Sequence, residues 1–325
     1  MITKPGYQQG LTLVETLVTL ALSCALLGLL GHGYFSLKQT LRITSELATL
    51  RESGRHALDT LSHDLKRAGY YAEARTNPGP LIIAGLGSSQ QRCSRHSEWG
   101  TTLQEPVFAL DDTNRRGNAD YQPCISNGDY LRGDIITLRF AGPVGTDAWR
   151  SSDNDKRPYL VAALQTPGVV AGAEVAKTRD AVSPPPQVYE VVAHAYYLTA
   201  ALGEAHDCAA GNVPALARKT LDDNGLPRAE ELVQGIEHLE IQLGLDSDAD
   251  GAVDRYVDPG ADVAWEQVRA ARIWVLARAL CPEAGYRDTH RYPLGNQIWQ
   301  PNDAYRRELL VTTVALRGLS GVSTQ

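Results

Sequence analysis

Between residues 16 and 36 the chain has no Asp, Glu, Lys or Arg, and His32, Cys24 and Tyr34 are the only ionisable side chains there. A surface helix needs a polar face, so this stretch is excluded as one. Local signatures of catalysis are also missing: no G-x-S-x-G elbow, no H-E-x-x-H and no Walker loop. No C-x-x-C or C…H spacing marks zinc or a redox dithiol. The sequence AGLGSSQ lacks the third glycine of a dinucleotide loop, because position 90 is Gln, and it reads as a turn after a short strand. The eight histidines are scattered; His56 and His63 lie a heptad apart as a packed or solvated pair, and His290 is a loop residue. An excess of basic charge is missing as well. The formal net charge of −7 argues against a general nucleic-acid surface. No enzymatic activity is expected.

What is present at the front is an apolar run, residues 10–35, GLTLVETLVTLALSCALLGLLGHGYF. Roughly 20 apolar residues in a helix cross a bilayer's hydrocarbon core, and this run has that length. No A-x-A-like site follows it, so it does not read as a cleaved secretory peptide. Two features separate it from a plain anchor. Glu15 sits one turn inside the run, where a carboxylate costs on the order of 3 kcal/mol and calls for a partner. Ten residues precede the run's second residue, with Lys4 their one charge and Gly10 at the junction.

This pattern resembles the class III signal of type IV prepilins. The resemblance implies a prepilin peptidase cut between Gly10 and Leu11, N-methylation of Leu11, and Glu15 as the fifth-position acid that meets the amine of a neighbouring subunit. Leu11 stands where major pilins usually carry Phe, which points to a minor pilin.

After residue 35 the helical period continues. Leu37, Leu41, Thr44, Leu47, Leu50, Ala57, Leu58, Leu61, Leu65 and Ala68 recur at three- and four-residue steps between charged residues, one apolar stripe on a polar helix. Gly69 is the expected stop. A helix over residues 11–68 would be about 87 Å long. Beyond it, residues 71–127 read as irregular, with a short strand at 81–84. Period-two stretches at 135–140, 188–198, 216–221, 268–280 and 309–316 read as strands. Residues 142–158 and 166–186 read as loops, the second ending in a stiff Pro-rich connector, and 232–245 as a helix-to-strand passage. A helix first and strands afterwards give an α+β fold with a mainly antiparallel sheet and long loops. The expected organisation is a leader (1–10), a transmembrane assembly half (11–35), an amphipathic half (36–69) and a β-rich head (70–325). Cys24 reads as an inert membrane thiol. Cys93, Cys124, Cys208 and Cys281 form an even set in an exported head, and two disulfides follow from an oxidising compartment. Of three connectivities, pairing of sequence neighbours is preferred.

The C-terminal part, with its acidic Asp-Gly hairpin, the strand VRAARIWVLAR and the terminal strand YRRELLVTTVALRG, is similar to PilW-type minor pilins of type IV pili. That resemblance implies a type IV pilin-like fold and a subunit held in the inner membrane with its head in the periplasm, then carried to the cell surface in the fibre. The implied partners are other minor pilins, the major pilin, the prepilin peptidase and the inner-membrane assembly platform. A large head suits a priming or tip-proximal place in a fibre serving motility, adhesion or DNA uptake. A J-type pseudopilin of type II secretion and a membrane-anchored periplasmic enzyme or binding protein are the alternatives.

Within the hairpin, Asp246, Asp248, Asp250, Gly251 and Asp254 give D-x-D-x-D-G-x-x-D. Alternate carboxylates can curl round a hard cation, and the Ala252 carbonyl can turn inward, as in the first nine positions of an EF-hand loop. Val257 replaces the bidentate Glu of the twelfth position, so this is a compact Asp-rich loop and not an EF-hand. A structural Ca2+ is expected on Asp246, Asp248, Asp250, Ala252 and Asp254.

Overall fold

The computed structural model describes residues 12–72, 74, 82–84, 103, 105–111, 124–126, 128–164, 167–201, 213–260 and 263–319. The chain forms two compact units, Met1–Thr49 and Leu50–Gln325. One α-helix, α1 (Leu13–Arg67), contributes residues to both. In the first unit its large apolar side chains are exposed, Leu13 and Leu29 at 75% and Phe35 at 71%. In the second unit the stripe is covered: Leu50, Gly54, Ala57, Leu58, Leu61, Asp64 and Leu65 are buried at helical spacing. The helix stops where a backbone N–H leaves the helical ladder for an outside acceptor. Gly69 takes a φ of +78° and donates its N–H to the Arg139 carbonyl at 3.0 Å, a left-handed residue after the last turn.

The head is built from two sheets and a ribbon. Its strands are β1 (Ile82–Ala84), β2 (Val107–Leu110), β3 (Ile135–Ala141), β4 (Pro158–Val161), β5 (Gly168–Ala171), β6 (Val188–Ala200), β7 (Pro214–Leu221), β8 (Pro227–Gln234), β9 (Ile236–Leu245), β10 (Arg255–Val257), β11 (Val268–Arg278), β12 (Tyr292–Leu294), β13 (Gln297–Trp299) and β14 (Arg307–Ala315). The first sheet runs β1-β5-β4-β6-β3-β2, with β7 on the far part of β6 and β8 on β7. The second runs β10-β9-β11-β14, and β12 pairs with β13. Among the described residues every pairing is antiparallel except β1 with β5. The expected α+β class with a mainly antiparallel head is what the structure has.

Three local expectations are corrected, and one strand pair is added to them. Residues 166–186, expected as loop, hold β5 and a nine-residue helix, α2 (Gly172–Asp180); only Gly172 and Val175 of α2 are buried, too few to print a helical stripe. The irregular stretch 71–127 contains β2, whose Val107, Phe108 and Ala109 are buried. The passage at 232–245 is strand to strand, β8 to β9, turning at Gly235 with φ +80°. Finally, β12 and β13 fill a stretch that carries no clear alternation.

Asp134 ties the sheets together. Its backbone N–H donates to the Leu239 carbonyl at 2.9 Å, and its carboxylate accepts the Ile241 N–H at 2.7 Å. The start of β3 in one sheet is thereby fixed to β9 in the other.

Candidate functional site

Four places among the described residues carry chemical character: the start of α1, the end of α1 in the head, the cluster round Arg307 and the β9–β10 hairpin. At the start, Glu15 lies in the first turn, where the helix dipole favours an anion. Its carboxylate lies 3.5 Å from the Thr12 backbone N and from the Thr12 hydroxyl, while the Glu15 N–H points to the Thr12 Oγ1 at 3.4 Å. This is a long-armed capping box. Its T-x-x-E signal, Thr12 to Glu15, stands in the sequence beside the assembly role expected of Glu15. Downstream, the hydroxyls of Thr16, Thr19 and Ser23 donate to the carbonyls of Leu13, Thr16 and Thr19 at 2.7–2.9 Å. These polar side chains are satisfied within the helix, as a segment in lipid requires. The helix is long and apolar enough to cross a membrane, with none of that apolar window buried. A continuous exposed apolar surface of this kind marks a membrane or a partner. Gly10 and Leu11 lie outside the described residues.

The head end of α1 is locked by a buried acid. Asp64 is 5% exposed and accepts hydrogen bonds from His194 Nδ1 and from the Tyr196 hydroxyl, each at 2.5 Å. Both partners stand on β6. Burial raises the Asp64 pKa, but the bonds from His194 and Tyr196 outweigh it and hold the carboxyl below its ordinary value. Burial and the adjacent Asp64 push the Tyr196 hydroxyl up, so it stays a donor.

The tandem arginines of the terminal strand have separate tasks. Arg306 is held in an ion pair with Glu283 and stacks over the Tyr286 ring at 4.2 Å. The Arg307 side chain is 0% exposed. It makes a forked pair with Asp303, both arms at 2.7 Å, and another with Glu237, and it reaches Asp288 at 3.2 Å and the Tyr305 carbonyl at 3.0 Å. Hydrogen bonds from Arg307 hold the Asp303 carboxyl low. For Asp288, burial acts upward, and bonds from His290, Tyr292 and Arg307 bring the net shift downward. The resemblance marked these arginines without saying what they do; the fold makes Arg307 the centre of a buried charge cluster. Similarly, Arg272 of the Val-Arg-x-x-Arg strand covers the Tyr256 ring at 3.9 Å.

The hairpin between β9 and β10 brings Asp246, Asp248 and Asp254 together, one carboxylate oxygen of each lying within 4.8 Å of the others. Asp250 is not in that group; its carboxylate accepts the Ala252 N–H at 2.7 Å. A second acidic group brings together Asp111 after β2, Asp134 before β3 and Glu240 of β9, and no local spacing announces it. Cys124 and Cys281 are disulfide-bonded. Cys93 and Cys208 lie outside the described residues, and so does the pairing. Cys24 is a free, exposed thiol.

No curated protein matches the chain. A type IV-like pilin from Thermus thermophilus is similar to it, with a TM-score of 0.35 and 13% identity over 86% of this chain and 98% of that one. The family model for type IV pilus-assembly protein W matches residues 196–318. That span runs from within β6 through β14 to the turn behind it, and takes in the acidic hairpin and both arginines. Over residues 196–318, this chain is similar to type IV pilus-assembly protein W.

Proposed function

We propose that the chain is a minor pilin, a low-copy subunit that enters a type IV pilus by its N-terminal helix and primes the fibre or sits near its tip. The observation that carries this reading is the charge-free apolar surface of α1 from residue 16 to residue 36, exposed on all sides and internally satisfied. Such a surface fits lipid before assembly and sibling helices afterwards. The similarity of residues 196–318 to a pilus-assembly family supports the same conclusion. On this reading a prepilin peptidase cuts between Gly10 and Leu11 and methylates the new amine. The head stands in the periplasm while the helix lies in the inner membrane. Other minor pilins, the major pilin and the assembly platform are the partners, and motility, adhesion or DNA uptake depends on the fibre. Glu15 meets a neighbour's amine, which offsets the cost of a carboxylate at membrane depth.

Mass spectrometry of the protein isolated from its host tests the reading; a mature chain starting at N-methyl-Leu11 is expected, and one starting at Met1 overturns it. The capping geometry makes Glu15→Gln the informative variant. Gln keeps the cap, since either Glu or Gln serves at that position, but it removes the charge. Loss of filament incorporation in Glu15→Gln supports pairing with an amine, and wild-type incorporation assigns Glu15 to the cap alone. Deleting the gene separates the pilin reading from the pseudopilin one: loss of surface fibres is expected, while lost secretion with fibres intact refutes it.

A further inference from the structure

We infer that the hairpin between β9 and β10 is a calcium site, with Asp246, Asp248 and Asp254 as its carboxylate ligands. This goes beyond the pilin reading and does not rest on it. Acidic residues on a tight turn are ordinary, since Asp and Gly suit such turns for backbone reasons. What singles this hairpin out is Asp246. Its side chain is 1% exposed, and its two oxygens are treated differently. Oδ2 faces Arg269 Nε at 3.3 Å and accepts the Gly251 N–H at 3.2 Å. Oδ1 is buried and, among the described residues, has no hydrogen-bond partner. A buried carboxylate oxygen left bare is costly. This one belongs to the carboxylate that converges with Asp248 and Asp254, so a cation on that trio would compensate the buried charge it carries.

The local charge balance points the same way. Arg269 sits at the irregularity in the β9–β11 pairing, between Val268 and Ala270, and a bulge of this kind re-aims a side chain. It is aimed at Asp246. Its Nη1, however, is spent on the carbonyls of Glu266 at 2.7 Å and Val268 at 3.3 Å. One guanidinium therefore faces one oxygen of a loop that carries Asp246, Asp248, Asp250 and Asp254. The remaining carboxylates repel one another until a further cation arrives.

Rigidity selects the ion. Carboxylates on a hairpin turn suit calcium, which accepts about 6–8 oxygens in a flexible geometry, whereas magnesium demands a strict octahedron at about 2.0–2.1 Å. A set of only carboxylate oxygens is likewise a hard-cation set. Asp248, Asp254 and Asp250 each accept one backbone N–H of the turn, from Asp250 at 3.2 Å, Ser247 at 2.6 Å and Ala252 at 2.7 Å; the proposed ligands are the three whose oxygens converge. The bound ion would fix the loop where Asp246 N–H meets the Gln267 carbonyl at 2.9 Å and Asp254 N–H meets the Leu245 carbonyl at 2.8 Å. The site thus joins three strands, β9, β10 and the start of β11.

The test uses the full-length chain in detergent, stripped with a chelator, and follows thermal unfolding while CaCl2 or MgCl2 is added. Exported calcium modules bind at about 10⁻⁴–10⁻³ M. At a hundredfold excess over such a constant, the melting temperature is expected to rise by roughly 5–10 °C with calcium and far less with magnesium. Asp248 is exposed, so Asp248→Asn folds and is expected to weaken calcium at least tenfold, read as the concentration giving half the shift. No calcium-dependent shift in the wild type overturns the inference. So does an equal shift with magnesium, and so does an undiminished shift in Asp248→Asn, which would put the ion elsewhere.

Discussion

Arg307→Met is the most searching perturbation of the head. It keeps the unbranched apolar stem of a side chain that is fully buried, and removes the guanidinium. In the wild type that group faces Glu237, Asp303 and Asp288 together. After the change, Arg278, with Nη1 3.5 Å from a Glu237 oxygen, is the nearest remaining cation on Glu237. Breaking a buried ion pair from one side costs about 3–5 kcal/mol, because the other side is left charged and unpaired. Asp303 is 39% exposed on its side chain and is partly rehydrated, so the lower half of that range applies, about 3 kcal/mol. For a head of this size that is roughly a 6–12 °C drop in melting temperature at pH 7. The pH dependence gives the sharper check. Asp303 and Asp288 have folded pKa values below their unfolded ones. Their contribution is therefore complete above the unfolded value of about 3.9 and is lost as the pH falls through the folded value. Without Arg307 the part of that contribution it supplies, the largest lowering cause for Asp303 and one of several for Asp288, is absent at every pH. The gap between wild type and variant, followed by circular dichroism, is thus expected to narrow as the pH is lowered from 5 toward 2. A gap that stays constant over that range would assign the loss to packing and refute the charge-cluster account.

Other changes probe the rest. Gly318→Ala places a Cβ 2.1 Å from the Ala68 carbonyl oxygen and 2.9 Å from the Tyr70 nitrogen; since both are backbone atoms at the end of α1, a loss of about 1–3 kcal/mol is expected in denaturant unfolding. Asp64→Asn removes the charge that accepts from His194 and Tyr196. It is expected to cost about 1.5–3 kcal/mol at pH 7, with the difference shrinking in acid because the Asp64 pKa is depressed in the fold. Thr12→Val removes the hydroxyl at the start of α1; helicity of the isolated N-terminal peptide in micelles is expected to fall, by about 1 kcal/mol of helix stability.

Composition and short-range period decided a good part of this protein in advance. A run of residues without charge makes a helix long and apolar enough to cross a membrane, whatever the rest of the chain does. The stripe from Leu50 to Ala68 and its stop at Gly69 also follow from local rules, because a helix buries every third or fourth residue and ends where a left-handed residue fits. The long strands β6, β11 and β14 alternate strongly enough to be read directly. Tertiary structure decided what depends on partners distant in sequence. The helix α2 carries no stripe because it buries only two residues. Arg307 looks like any strand arginine until Glu237, 70 positions earlier, is folded onto it. The acidic hairpin shows its four aspartates in order, but burial of Asp246 beneath Arg269 and the bare Oδ1 arise only when β11 is laid beside β9. Period and composition act within a few residues of chain, whereas charge pairing and desolvation act through space.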